Sequence, residues 1–130
     1  MTPIVGRLPS QLGDSELEKL LQELPGWRLE ERDKPGLPSD VIVELYRLYE
    51  FGDYEEAWRF MTAVDERCIR RLNHHPRWQN TYNRVEVWLT TFNIGHKPSR
   101  RDVRLAKCIE ELWSVARNAG RSPDAGARGS

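Results

Sequence analysis

Leu72-Asn73-His74-His75-Pro76-Arg77-Trp78 decides how the chain folds, because a long helical pattern stops inside it and a sheet-like pattern follows. Before it, Ala57, Phe60, Met61, Val64, Cys68 and Leu72 recur at the intervals that put side chains on one helix face. They predict the longest helix of the chain, over roughly residues 54–73. Proline disfavours the helical conformation in the residue before it, so His-His-Pro ends that helix. Gly52-Asp53 breaks the chain ahead of the helix, and Asp53-x-x-Glu56 caps it. Beyond the motif, Val85, Val87, Leu89 and Thr91 alternate with Trp88, Thr90 and Phe92, which predicts a strand from Arg84 to Phe92.

Working outward, Ser15-x-x-Glu18 carries the residue types of a capping box, and Leu17, Leu20, Leu21 and Leu24 follow at helical spacing up to Pro25-Gly26. A short strand over Trp27 to Glu30 comes next. Glu31 to Asp40 is charged and holds Pro35, Gly36 and Pro38, so a loop is expected there. Val41 to Phe51 has the β-branched and aromatic content of a strand, with Val41, Val43 and Leu45 on one face. Asn93 to Pro98 is a turn, and Ser99-x-x-Asp102 caps a last helix whose Leu105, Ala106, Ile109, Leu112, Trp113 and Ala116 form one stripe. The order α-β-β-α-β-α predicts an α+β fold with helices packed on one face of an antiparallel sheet. One domain over residues 14–117 is expected, after a flexible segment at 1–13 and before a disordered tail at 118–130.

No apolar run approaches the roughly 18 residues of a membrane span, and MTPIVGRLPS lacks the layout of a signal peptide. The expectation is a cytoplasmic protein with no membrane partner. Cys68 and Cys108 are widely spaced and form no CxxC, so they are expected as reduced thiols. Charge is uneven: up to Glu56 the chain has 13 acidic and 6 basic residues, and from Ala57 onward 7 acidic and 14 basic. Such a split either favours acidic partners and self-association or is interleaved by folding. The overall pI of 6.8, with no recognised motif, argues against nucleic acid.

Imidazole titrates near neutrality, so His74 and His75 are candidates for moving protons. Adjacent residues at a helix end point in different directions and can touch two edges of a ligand, with Trp78 and Tyr82 offering flat surfaces. The competing account is structural: histidines near a helix C-terminus interact favourably with its last carbonyls. No metal is expected, because no Cys, Asp or Glu falls at a ligand spacing from them.

Leu24-Pro25-Gly26-Trp27, Tyr49-Glu50-Phe51, Glu56-Ala57 with Phe60, Asn73-His74-His75-Pro76-x-Trp78-x-Asn80-x-Tyr82-Asn83-x-Val85 and Asp102-x-x-Leu105-Ala106 together resemble the pterin-4a-carbinolamine dehydratase family. The resemblance runs from about Leu17 to Trp113. It implies a four-stranded antiparallel sheet with helices on one face, assembled as homodimers or higher oligomers. It also implies dehydration of a 4a-hydroxytetrahydropterin by histidines acting as acid and base, with no metal or organic cofactor. His74 and His75 match two of the family's catalytic histidines. Arg70, Pro76, Trp78, Tyr82, Phe92 and Asp102 fall at positions equivalent to its pocket.

The chain departs from the family at three points. Phe92 in Thr91-Phe92-Asn93 stands where the third histidine is expected, and it can neither donate nor accept a proton. Arg70 stands where Glu, Asp, Lys or His is usual, and its charge would disfavour protonation of a nearby histidine. The turn before Asp102 is about one residue longer than in common members. His96 lies four residues past Phe92, but a turn residue is badly placed to replace a strand-end side chain.

Two functions follow from the resemblance. A branch of the family linked to α-carboxysomes keeps His-His-Pro and alters the strand-end histidine, as here; its members are taken to assist Rubisco assembly. That implies a non-enzymatic, carboxysome-associated protein with Rubisco as partner. The alternative is a working or slow dehydratase in pterin recycling. A transcription-factor dimerisation cofactor, also known in the family, has no separate support in this sequence.

Overall fold

The computed structural model describes residues 12–120, and the expected lead up to residue 11 and tail from residue 121 lie outside them. Four strands form one antiparallel sheet in the order β1-β2-β4-β3. They are β1 (Arg28–Lys34), β2 (Leu37–Glu50), β3 (Arg77–Thr81) and β4 (Arg84–Leu89). The segment expected as a loop, Glu31 to Asp40, is therefore the turn end of a hairpin that extends the strand expected over Trp27 to Glu30. Pro35-Gly36 turns the chain, with Gly36 at φ +78°, and Arg28 pairs with Tyr46 through to Asp33 with Val41. Charge marked Glu31 to Asp33 as loop, yet β1 is an edge strand, where charged side chains are favoured.

Four helical pieces are α1 (Asp14–Gln22), α2 (Tyr54–Val64), α3 (Arg70–Leu72) and α4 (Arg100–Gly120), with a π-helical turn at Asp65–Ile69 joining α2 to α3. The expected helix over 54–73 is this continuous run, and Asn73 closes it in the left-handed conformation at φ 52°. Asp53 caps it as expected: its Oδ1 accepts from the Glu56 N–H at 2.9 Å, while Glu56 Oε1 accepts from the Gly52 N–H at 3.1 Å. The Ser15 capping box does not form. Helix α1 starts at Asp14 behind Gly13, and no side chain caps it. The preceding Leu12, expected in the flexible lead, is buried, with its N–H on Pro98 O. At the other end α4 runs three residues past Arg117.

Strand β4 ends at Leu89 rather than at Phe92. Thr90 still donates its hydroxyl to Val43 O, but Thr91 makes an isolated bridge with Lys97 and Phe92–Ile94 is a 3-10 turn. The helices cover one sheet face, where Leu45, Tyr49, Val85, Val87 and Leu89 meet Phe60, Val64, Leu105 and Ile109 in a single core. No described helix is long and apolar enough to cross a membrane.

Cys68 and Cys108 are not the separate thiols expected. They form a disulfide between the π-helical turn and α4, with Cα atoms 5.9 Å apart. Forty residues separate the two cysteines, so only the tertiary fold brings them together. Folding also interleaves the uneven charge. Arg77 pairs with Glu44, Arg84 with Glu50, Lys97 with Asp40, Arg100 with Glu16 and Lys107 with Glu23, each a second-half cation on a first-half carboxylate.

On the sheet face that no described helix covers, register aligns Arg28, Tyr46, Trp88 and Arg77 in one row across all four strands. Arg77 lies 4.1 Å over the Trp88 ring and Arg28 lies 4.8 Å over Tyr46. Beside this row the buried Glu44 accepts from Arg32 and Arg77 at 3.2 and 2.8 Å, so two cations hold one carboxylate.

Candidate active site

The end of the α2–α3 run and the start of α4 meet at His74 and Asp102. His74 Nε2 lies 2.6 Å from Asp102 Oδ1, and Asp102 is fully buried. Its other oxygen accepts from the Ser99 N–H at 2.8 Å and from Thr91 Oγ1 at 2.6 Å, and Thr91 and Ser99 share a hydroxyl contact of 2.6 Å. Ser99 Oγ in turn accepts from the Arg101 N–H at 3.2 Å. The capping box expected at Ser99-x-x-Asp102 is thus formed, and the same carboxylate also orients a histidine.

A cavity of about 260 Å³ opens beside this pair, lined by Leu72, Asn73, His74, Arg101 and Arg104. An imidazole held on one nitrogen by a buried carboxylate is fixed in orientation, which is the positioning that general acid–base work needs.

The other expected site residues divide. Pro76 is half-buried between the histidines and β3, and Trp78 packs against the core from β3. His75 is exposed and makes no side-chain hydrogen bond among the described residues. Tyr82 is exposed at φ 52° in the β3–β4 turn. Arg70 is exposed and directs its Nε to Asp65 at 3.1 Å, not to the histidines. An ion pair so exposed contributes little.

Phe92 is 71% exposed, and its ring meets His96 edge-on with centroids 4.7 Å apart. His96 sits in the turn at φ 62°, with its N–H on Thr91 O and its carbonyl accepting from Val43. Burial first, then the charges of Lys34 and Arg32, hold it below the ordinary histidine range; Glu44 opposes this and Lys97 reinforces it. Sequence reasoning missed Thr91. A hydroxyl one residue before the family's histidine position was the available signal, but only tertiary structure shows that it grips Asp102.

The family model for pterin 4 alpha carbinolamine dehydratase matches residues 10–112. A protein of Novosphingobium aromaticivorans, provisionally named as such a dehydratase, is 41% identical over 103 residues, covering 79% of this chain and 96% of its own length. A second, from Synechococcus sp. (strain WH7803) and named in the same way, is 38% identical over 105 residues, covering 81% of this chain and 99% of its own. Among solved structures, a transcriptional coactivator/pterin dehydratase from Brucella melitensis superposes with a TM-score of 0.65 at 28% identity, covering 79% of this chain and 98% of that one. The sheet order, the histidine motif at the helix end and a match across most of the described domain agree: the chain belongs to the pterin-4a-carbinolamine dehydratase family.

Proposed function

We propose that this chain uses the dehydratase scaffold to bind a protein and has lost efficient dehydration, serving as a Rubisco assembly factor linked to α-carboxysomes. The observation that carries the loss of chemistry is Phe92, an exposed phenyl ring where the third imidazole is expected, with its neighbour His96 engaged in the turn. Losing one general acid or base typically forfeits about 10²–10⁴ in rate. An exposed aromatic residue and an uncovered sheet face crossed by arginines and aromatic rings suit a protein partner, since Arg, Tyr and Trp are enriched at interfaces. The assignment to Rubisco rests on the resemblance to the α-carboxysome branch, and self-association as a homodimer or larger oligomer rests on the family.

The second reading, a slow dehydratase, is favoured by the intact His74–Asp102 pair and its Thr91–Ser99 support. Adding purified protein to 4a-hydroxytetrahydropterin separates the two. The first reading expects the spontaneous rate of dehydration; an acceleration of about 100-fold or more, abolished by His75→Ala, establishes the second. Co-expression with Rubisco subunits is expected to raise the yield of soluble, assembled enzyme, and an unchanged yield removes the assembly role.

A further inference from the structure

Two cross-links tie the same pair of segments together. Cys68 lies six residues before His74, and Asp102 lies six residues before Cys108, so the disulfide and the His74–Asp102 contact clamp antiparallel segments at two points. Both cysteines are buried, Cys68 fully and Cys108 to all but 8%, but Cys108 forms part of the wall of a shallow cavity of about 550 Å³ together with Arg71 and Arg104, which makes it the nearer of the two to solvent. A nitrogen of the Arg71 guanidinium lies 3.4 Å from Cys108 Sγ, where it stabilises negative charge building on that sulfur. The main-chain oxygen of Arg67, 3.7 Å away, would accept from the thiol once it is reduced.

We propose that Cys68–Cys108 is a redox-active pair, exchanging with glutathione or a protein dithiol, whose state sets how firmly α4 is held against the His74 segment. In the reducing direction a thiolate of the carrier attacks Cys108 Sγ. The Sγ–Sγ bond breaks, Cys68 leaves as a thiolate and takes a proton from water, and a mixed disulfide remains on Cys108. A second carrier thiolate attacks the outer sulfur of that mixed disulfide and releases Cys108, which is protonated in turn. The protein gains two electrons and two protons, and two carrier thiols become one carrier disulfide. In the oxidising direction the Cys108 thiolate, beside Arg71, attacks the carrier disulfide, and Cys68 then displaces the carrier. In a reducing compartment, disulfides that exchange in this way are regulatory or catalytic. The pair needs no turnover at His74 and goes beyond the function proposed above.

The test equilibrates the full chain with glutathione at graded ratios of reduced to oxidised form, traps free thiols, and counts them by intact mass. Amide hydrogen exchange is followed on the fully oxidised and fully reduced protein. The expected result is reversible interconversion between zero and two trapped thiols, with exchange at Asn73, His74 and Ser99–Asp102 rising on reduction at least tenfold more than it rises in β2 and β4. Arg71→Gln is expected to slow exchange with glutathione several-fold without altering the oxidised structure. The proposal is overturned if no disulfide forms at any ratio, or if protection around His74 is the same in both states. An increase around His74 no larger than that in β2 and β4 overturns it as well, because it would show a loss of global stability without a local clamp.

Discussion

Asp102 Oδ1 lies 2.6 Å from His74 Nε2 while Asp102 Oδ2 accepts from the Ser99 N–H, so one buried carboxylate both starts a helix and orients a histidine. Removing it leaves the Ser99 N–H, the Thr91 hydroxyl and an imidazole nitrogen without their acceptor. Asp102→Ala is expected to cost roughly 2–4 kcal/mol, the sum of a lost cap and stranded polar groups. Asp102→Asn keeps an oxygen for the cap and should cost less than half as much. Urea denaturation measures both; a cost below about 1 kcal/mol for the alanine variant would show that the network contributes little.

Gly26, at φ +96°, gives a second prediction. A Cβ there would come 2.7 Å from the Arg47 guanidinium, which bonds Glu110 at 3.0 Å. Glu110 also accepts from Trp27 at 3.0 Å and from Tyr49 at 2.5 Å. Burial and the Glu110 charge push the Tyr49 hydroxyl far above its ordinary range, so it acts as a donor at all working pH values. Gly26→Ala would combine left-handed strain with displacement of Arg47, at an expected cost of about 2–3 kcal/mol. Gly36→Ala, also at positive φ but facing open space, isolates the backbone part and should cost about 1 kcal/mol. Equal shifts in melting temperature for the two variants would remove the role assigned to Arg47.

The helices, β2 and β4 were legible in the sequence because apolar period and caps such as Asp53 are local signals. Edge strand β1 was legible only in its first half, as the strand expected over Trp27 to Glu30, because the charges of Glu31, Arg32 and Asp33 serve an edge as well as they serve a loop. Helix α1 shows the reverse error, a capping-box sequence at Ser15 that the chain passes over because the helix begins a residue earlier. His74 and Asp102 were named from the family pattern, yet their contact joins positions 28 residues apart in sequence. Spacing carries no information about such a contact, and the same holds for Cys68 with Cys108.

Reduction of that disulfide gives a third prediction. A cross-link closing a loop of about 40 residues is expected to contribute roughly 2–4 kcal/mol, in a model where it restricts the unfolded chain. Unfolding by urea with and without reductant should show a lower midpoint in reductant. Cys68→Ser/Cys108→Ser should match the reduced protein and ignore the reductant. A midpoint unaffected by reductant would mean that the two thiols are not joined in solution.

His96 sets the acid side of the stability curve. Burial, then Lys34 and Arg32, hold its folded-state pKa below the ordinary value, with Lys97 adding to the effect and Glu44 opposing it. The unfolded chain therefore takes up the proton first as pH falls, so protonation favours unfolding. Stability from this group is complete above the ordinary histidine value of about 6.5 and declines as pH falls below it, until the folded imidazole also protonates. A second decline lies lower. Asp40, drawn down to about 2 by Lys34 and then the Val41 N–H, stabilises the fold above the ordinary carboxylate range and loses that effect as it protonates. Glu23, lowered by Lys107, and Glu30, lowered by Arg28, act in the same direction. Melting temperature against pH should thus fall in two steps. His96→Asn, whose side chain tolerates the left-handed φ of 62°, should flatten the upper step and leave the lower one. An upper step that survives in His96→Asn would assign it to a different group.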